Sequence, residues 1–208
     1  MSDKPFFGIF DEVLEPDEHI EVFQHLHNVS WHTKTSVSPD KARLPDSWHL
    51  TSVFLNNNID MPVPSASLID EFAQKHKPIN VLYQKTVSLM EQYIGKFEPL
   101  RIYGNCKPYG LNSYIHRDDG DYTAIYYPAT EWQEGWEGGT TFYEERPDGF
   151  MDAIRYVTYM PNRMIVFPGH IPHRGMPCDR LCYRQRYLVV MKFKRDVNDP
   201  QYAKQFYG

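Results

Sequence analysis

Apolar residues recur along this chain with two different periods, and the period changes near residue 97. Upstream, Tyr83, Val87, Met90 and Ile94 follow the spacing of one helix face, and Gly95 sits where such a helix would end. Ile20, Phe23 and Leu26 share a face in the stretch Asp17 to Val29, which begins after Pro16. Both stretches read as amphipathic helices. Between them, Asn56 to Pro64 reads as an exposed loop.

Downstream the pattern becomes strand, turn, strand. Strands are expected over Leu100–Tyr103, Ser113–His116, Tyr122–Tyr127, Thr140–Tyr143, Ile154–Met160, Met164–Phe167 and Tyr183–Lys194. Most are rich in β-branched and aromatic residues and bounded by Gly, Pro, Asn or Asp. Short strands with turn signals between them fit a sandwich or jelly roll better than a parallel α/β sheet. The expectation is a mainly β protein with flanking helices braced against one outer face. A single domain is expected, with residues 1–97 as helical and loop support, 98–195 as the core and 196–208 as a tail.

Composition narrows the classes. With 41% hydrophobic and 24% charged residues, the 208-residue chain has the make-up of a globular protein with a substantial core. Its net charge of −5 sets the global field against a polyanion, so nucleic acid is a disfavoured partner. No apolar run approaches the roughly 20 residues that span a bilayer, and Met1 to Pro5 lacks the basic and apolar runs of a secretory leader. Cys106, Cys178 and Cys182 are too few for a disulfide framework, so a soluble protein of the reducing cytoplasm is expected.

The candidate chemistry lies in the strand-rich half. Alternation along a strand puts His116 and Asp118 on one face and turns Arg117 away. A third ligand must come from a neighbouring strand, and His173 is preferred to His170. Asp119 falls on the wrong face, and Asp121 falls in the turn begun at Gly120. Two imidazoles and one carboxylate can hold one face of a metal ion and leave the other open, the arrangement of non-haem Fe(II) oxygenases. Beyond His173 lie Arg180, Arg184 and Arg186. A guanidinium can grip a carboxylate with two parallel hydrogen bonds. Arg184 and Arg186 share a strand face, so alternation does not choose between them. Arg186 is preferred because it opens the apolar run Tyr187-Leu-Val-Val-Met.

Six segments in order carry a family likeness: Tyr114-Ile-His-Arg-Asp, Thr123-Ala-Ile-Tyr-Tyr, Trp136-Glu-Gly-Gly-Thr-Thr-Phe, Asn162-Arg-Met-Ile-Val-Phe, Pro172-His-Arg-Gly and Arg186-Tyr-Leu-Val-Val. Together, from Tyr103 to Phe193, they resemble the catalytic core of Fe(II)/2-oxoglutarate-dependent dioxygenases, in particular the prolyl 4-hydroxylase-like branch. The resemblance implies a double-stranded β-helix with Fe(II) bound by His116, Asp118 and His173. It implies 2-oxoglutarate held by Arg186 and Tyr127, with Tyr103 assisting and Tyr114 as its rival, and it admits ascorbate as a reductant. The gap from His173 to Arg186 is longer than this branch usually shows. Cys178 to Cys182 looks like a small insertion, which keeps Arg184 as an alternative.

The implied reaction hydroxylates a C–H bond of a peptidyl residue or small molecule while 2-oxoglutarate and dioxygen yield succinate and carbon dioxide. The intact Asp118 argues against halogenation, for which family members vacate that position. A nucleic-acid demethylase of the same superfamily and a cupin-like metal sensor without turnover are the alternatives. Substrate choice is expected in the turns near Lys107–Asn112, Glu131–Gly138 and Glu144–Asp152. Trp132 to Glu137 is either a lid or an ordinary surface loop.

Overall fold

A computed structural model describes residues 5–36, 47–57, 64–111 and 113–195. In chain order its elements are β1 (Gly8–Phe10), α1 (Pro16–Asn28), β2 (His32–Ser36), β3 (Ser47–Asn56), α2 (Ala66–Lys75), α3 (Lys77–Ile94), β4 (Phe97–Lys107), β5 (Tyr122–Tyr127), β6 (Thr140–Glu145), β7 (Met151–Val157), β8 (Arg163–Pro168), β9 (His173–Gly175) and β10 (Arg186–Arg195). The strands pair antiparallel in two sheets. The larger runs β1-β8-β5-β10-β4-β3-β2 and the smaller β7-β6-β9. This is the expected mainly β, jelly-roll-like architecture.

The central strands of the larger sheet, β5, β8 and β10, are buried on both faces, which explains their mostly apolar sequences. Alternation divides them between two cores. Tyr126, Met164, Val166, Val189, Met191 and Phe193 face the helices and pack with Val22, Leu26, Ile79, Leu82 and Met90. Ile125, Ile165, Phe167, Leu188 and Val190 face the smaller sheet and pack with Phe142 and Val157. Burying each such aliphatic side chain contributes roughly 1.5–3 kcal/mol before entropy is counted.

The two expected helices form and stop for local reasons. Pro16 occupies the first turn of α1, and Glu18 Oε2 accepts the Glu15 N–H at 3.2 Å. At the end of α3, Gly95 takes φ 91° and donates its N–H to Met90 O at 3.1 Å. Helix α2 was not expected. Ser65 caps it by accepting the Leu68 N–H at 3.3 Å, and Leu68, Ile69 and Phe72 form a short apolar face against the core, a helical spacing that the sequence reading passed over.

The first 97 residues also supply strands. β1 pairs with β8, and β3 pairs with β4, so this half extends the larger sheet as well as covering it. β2 reads His-Thr-Lys-Thr-Ser, a polar edge without the apolar alternation that marks a half-buried strand. β4 continues four residues past its expected end at Tyr103, and Ser113 to His116 forms only an isolated bridge at His116. Of the expected loop Asn56 to Pro64, residues 58–63 lie outside the described residues, as does the tail 196–208. Among the described residues no helix is long and apolar enough to cross a membrane.

The helices meet at a histidine pair. His25 Nε2 and His76 Nδ1 are 3.0 Å apart, so one ring must donate to the other. Burial, then the neighbouring His25, lowers His76 to about 4, and burial lowers His25 as well. The unfolded chain therefore binds protons near pH 6.5 that the folded chain refuses until about pH 4. Stability is expected to fall as pH drops through that window. His76→Gln, which removes one titrating ring, should flatten part of the slope; melting temperatures across pH 4 to 7 for both proteins measure it.

Candidate metal centre

One cleft opens between the two sheets, and the alternation of β4 and β10 furnishes much of its wall. Tyr103, Asn105 and Lys107 project from β4, and Arg186, Leu188 and Val190 from β10. The register sets them opposite one another: Tyr103 against Val190, Asn105 against Leu188, Lys107 against Arg186. Ile125, Thr140, His173 and Gly175 complete the wall from β5, β6 and β9, with Ser113, His116 and Asp118 from the segment before β5.

At one end, His116, Asp118 and His173 offer ligand atoms that all lie within 4.8 Å of one another, a grouping that can hold a metal ion. Among the described residues it is the only such group of His, Cys, Asp and Glu. The backbone builds it. His116 N donates to His173 O at 3.0 Å and His173 N to His116 O at 2.9 Å, tying the segment before β5 to β9. Asp118 N donates to Gly169 O at 2.8 Å.

The imidazoles are also oriented. His116 Nδ1 lies 2.9 Å from Tyr114 O, and His173 Nδ1 lies 2.9 Å from Ile171 O. A carbonyl can only accept, so each ring carries its proton on Nδ1 and presents the Nε2 lone pair to the site. Burial lowers His173 to about 4, against the pull of Asp118, which keeps it neutral near pH 7. The Nε2 atoms of His173 and His116 lie 3.6 Å and 3.9 Å from the Asp118 carboxylate.

Asp118 has strong partners. Thr123 Oγ1 donates to Oδ2 at 2.7 Å, and Lys192 Nζ lies 2.8 Å from Oδ1. Burial pushes the carboxyl up, but His173, the Lys192 charge and these two hydrogen bonds outweigh it and hold it below the usual range. Lys192 also reaches Asp119 Oδ1 at 2.7 Å, and Arg101 binds the same carboxylate. Asp119 therefore faces away from the grouping. Arg117 turns outward to Glu145 at 2.7 Å, as alternation requires. Asp121 accepts the Arg195 N–H, and His170 is exposed.

At the other end is Arg186, 1% exposed. Its Nε donates to Gly138 O and its Nη2 to Gly139 O at 3.2 Å, while the buried Nη1 has no hydrogen-bond partner. Gly175 leaves room beside the guanidinium; a Cβ there would lie 3.1 Å from Nη2. Arg184, its sequence rival, is exposed and pairs with Glu131 at 3.0 Å. Tyr103 lines the cleft, and Tyr114 does not. Tyr127 stands one layer back, fully buried, with its hydroxyl 2.8 Å from Thr140 Oγ1, which does line the cleft.

The loop Glu131–Gly138 is anchored. Trp132 stacks on Tyr159 at 4.1 Å, and the buried Trp136 packs with Cys178 and Cys182. It holds the Gly138 carbonyl that orients Arg186. Burial pushes the Cys178 thiol up to about 12, so it stays protonated and packs as a small apolar group.

Thr140 and Gly175 were not expected at the cleft, Lys107 was expected in a turn at its mouth and not on a strand in its wall, and Lys192 was not expected beside Asp118. The signal for Lys107 was the polar alternation Tyr103-x-Asn-x-Lys. Gly104, Asn105 and Lys107 are poor strand formers, which ended the expected strand at Tyr103. Pairing with β3 on one side and β10 on the other overrides that preference.

No protein-family model matches the chain, and no curated protein sequence does. Solved structures do. An oxidoreductase of the 2OG-Fe(II) oxygenase family from Burkholderia pseudomallei matches with a TM-score of 0.67 and 10% identity, over 91% of this chain and 85% of that one. A prolyl-4-hydroxylase of Pseudomonas putida matches at TM-score 0.53 and 13% identity, over 92% and 94%. HygX from Streptomyces hygroscopicus, with nickel and 2-oxoglutarate bound, matches at 0.57 and 12%, over 94% and 85%. The fold is thus the one shared by 2OG-Fe(II) oxygenases, prolyl hydroxylases among them.

Asp118 and Lys192 form a buried ion pair, and removing one partner of such a pair costs about 3 kcal/mol or more. Lys192→Met is expected to lower the melting temperature of the metal-free protein. A divalent ion would then be the main counter-charge left for Asp118. The rise in melting temperature on adding Mn(II) should therefore be larger in Lys192→Met than in the unsubstituted chain. An equal or smaller rise would contradict this electrostatic account.

Proposed function

We propose that this chain is an Fe(II)- and 2-oxoglutarate-dependent oxygenase that hydroxylates an unactivated C–H bond. The observation that carries the reading is the two-ended cleft: a His116–Asp118–His173 grouping at one end and a buried guanidinium with an unpartnered nitrogen at the other. The donor set suits Fe(II), because neutral imidazoles and a carboxylate bind it on one face and leave coordination positions open. The orphaned Arg186 Nη1 and the space beside Gly175 suit the far carboxylate of 2-oxoglutarate. Bound together, the metal and co-substrate supply the oxidising power from dioxygen, with 2-oxoglutarate converted to succinate and carbon dioxide.

In this reading the chain itself binds, orients and excludes. His116, Asp118 and His173 hold the ion, and the carbonyls of Tyr114 and Ile171 keep both rings in the ligating tautomer. Arg186 grips the distal carboxylate. Tyr127 fixes the Thr140 hydroxyl that faces the cleft. Burial pushes the Tyr103 phenol up to about 12, so it remains a hydrogen-bond donor toward the co-substrate. Ile125, Leu188 and Val190 make the intervening wall apolar and keep bulk water off it.

The substrate enters from the His116 side. The His116 side chain is 49% exposed while those of Asp118 and His173 are 4% exposed, so the metal end lies at the open rim. An open rim favours a peptidyl substrate of prolyl type, with a small molecule as the second class. The acidic net charge disfavours nucleic acid.

Protein supplied with Fe(II), 2-oxoglutarate and air should release succinate. His116→Ala and Asp118→Ala should reduce release to background, and full turnover in either would overturn the ligand assignment. Arg186→Met should raise the KM for 2-oxoglutarate about tenfold to a hundredfold, the worth of a charge-assisted contact. Proline-containing peptides and small amides, screened by mass for the gain of one oxygen atom, separate the two substrate classes.

A further inference from the structure

The Arg186 end of the cleft holds a second buried cation. Lys107 is 7% exposed, lines the same cleft and lies directly across the strand pair from Arg186. Like charges at directly opposed positions destabilise a sheet, and here both are withdrawn from water. Their hydrogen-bond partners are neutral: Ser113 Oγ for Lys107, and the carbonyls of Gly138 and Gly139 for Arg186. Among the described residues Asp118 is the one acid lining the cleft, and it is engaged by Lys192 at the opposite end. The chain thus keeps two uncompensated cations together beside a guanidinium nitrogen that has no partner.

We propose that Lys107 and Arg186 form a two-cation cradle that takes the distal carboxylate of the co-substrate between them. The proposal rests on the oxygenase reading above and adds Lys107 as a residue that sets specificity for a dicarboxylic 2-oxo acid. An anion seated there neutralises the pair, fills the vacancy at Arg186 Nη1 and removes the cross-strand repulsion. An uncharged end group would leave both cations desolvated and unpaired, which penalises monocarboxylic 2-oxo acids.

The charge state of the cradle is also adjustable. Burial, then the Arg186 charge, lowers the Lys107 ammonium to about 7. The titratable groups that interact with it are Arg186 from β10, Cys178 from the segment after β9 and His49 from β3. Near pH 7 Cys178 is a neutral thiol, pushed up to about 12, and His49, lowered to about 4, is neutral. A bound carboxylate favours the ammonium. Affinity for the dicarboxylate therefore weakens as pH rises above about 7 and the free protein sheds that proton.

Binding calorimetry on Mn(II)-loaded protein without oxygen tests this, with 2-oxoglutarate and 2-oxopentanoate as probes. The second probe keeps the 2-oxo acid end and lacks the distal carboxylate. Lys107→Met should weaken 2-oxoglutarate about tenfold or more and leave 2-oxopentanoate unchanged. It should also raise the melting temperature of the ligand-free protein, because a buried, uncompensated charge has gone. Lys107→Arg, always charged, should bind 2-oxoglutarate with a flatter pH dependence between pH 6 and 8.5. Lys85→Met, which removes an exposed helix charge, serves as the control.

Unchanged 2-oxoglutarate affinity in Lys107→Met, with a large loss in Arg186→Met, would overturn the cradle and leave the oxygenase reading intact. Equal weakening of both probes would mark Lys107 as merely structural and overturn it too. If unsubstituted protein binds 2-oxoglutarate no better than 2-oxopentanoate and Arg186→Met changes neither, the co-substrate reading itself fails.

Discussion

Strand β10, enclosed on both faces, is the constraint on which the molecule depends. Its odd-numbered residues from Tyr187 to Phe193 anchor the helices, and Leu188 and Val190 line the cleft with Arg186. Because side chains alternate with a period of two, a slip of one residue would carry Arg186 into the helical core and Tyr187 into the cleft. The ten residue pairs that bind β10 to β4 hold that register. The same pairing puts Tyr103, Asn105 and Lys107 on the cleft face and buries Ile102 and Cys106 against the helices.

Charge is distributed along the cleft with a clear polarity. At the His116–Asp118–His173 end Asp118 and Asp119 are matched by Lys192 and Arg101, so the buried Asp118 carboxylate stays ionised. At the far end Arg186 and Lys107 have neutral partners only. In a cleft with a compensated end and an uncompensated cationic end, electrostatics would order a bipolar ligand before any contact is refined. The Trp132 and Trp136 segment supports this arrangement from behind, through the Gly138 carbonyl.

Legibility followed local signal strength. β5 appeared with its full bounds, because Tyr122 to Tyr127 is rich in aromatic and β-branched residues and closed by Pro128. α3 was marked by its stripe and by Gly95. β2 was not, since its sequence His-Thr-Lys-Thr-Ser is polar throughout, and α2 was missed because its apolar face is only about two turns long. Within the cleft, the His116, Asp118 and His173 set was readable from alternation and order along the chain. Lys107 and Lys192 were hidden because a lone lysine on a strand gives no sign of whether it meets solvent or a neighbour.

The sequence by itself determined the β-rich class, the two periodic helices and which face of its segment His116 shares with Asp118, because these depend on spacing within a few residues. Tertiary structure alone separated the surroundings of Arg184 from those of Arg186. The two share a strand face in sequence terms, but only Arg186 lies within the paired part of β10, where β4 and the Gly138–Gly139 backbone enclose it. It also decided that Tyr127 stands behind Thr140 and that Lys107 joins Arg186. Those facts depend on the register between strands distant in sequence, and no local pattern encodes that register.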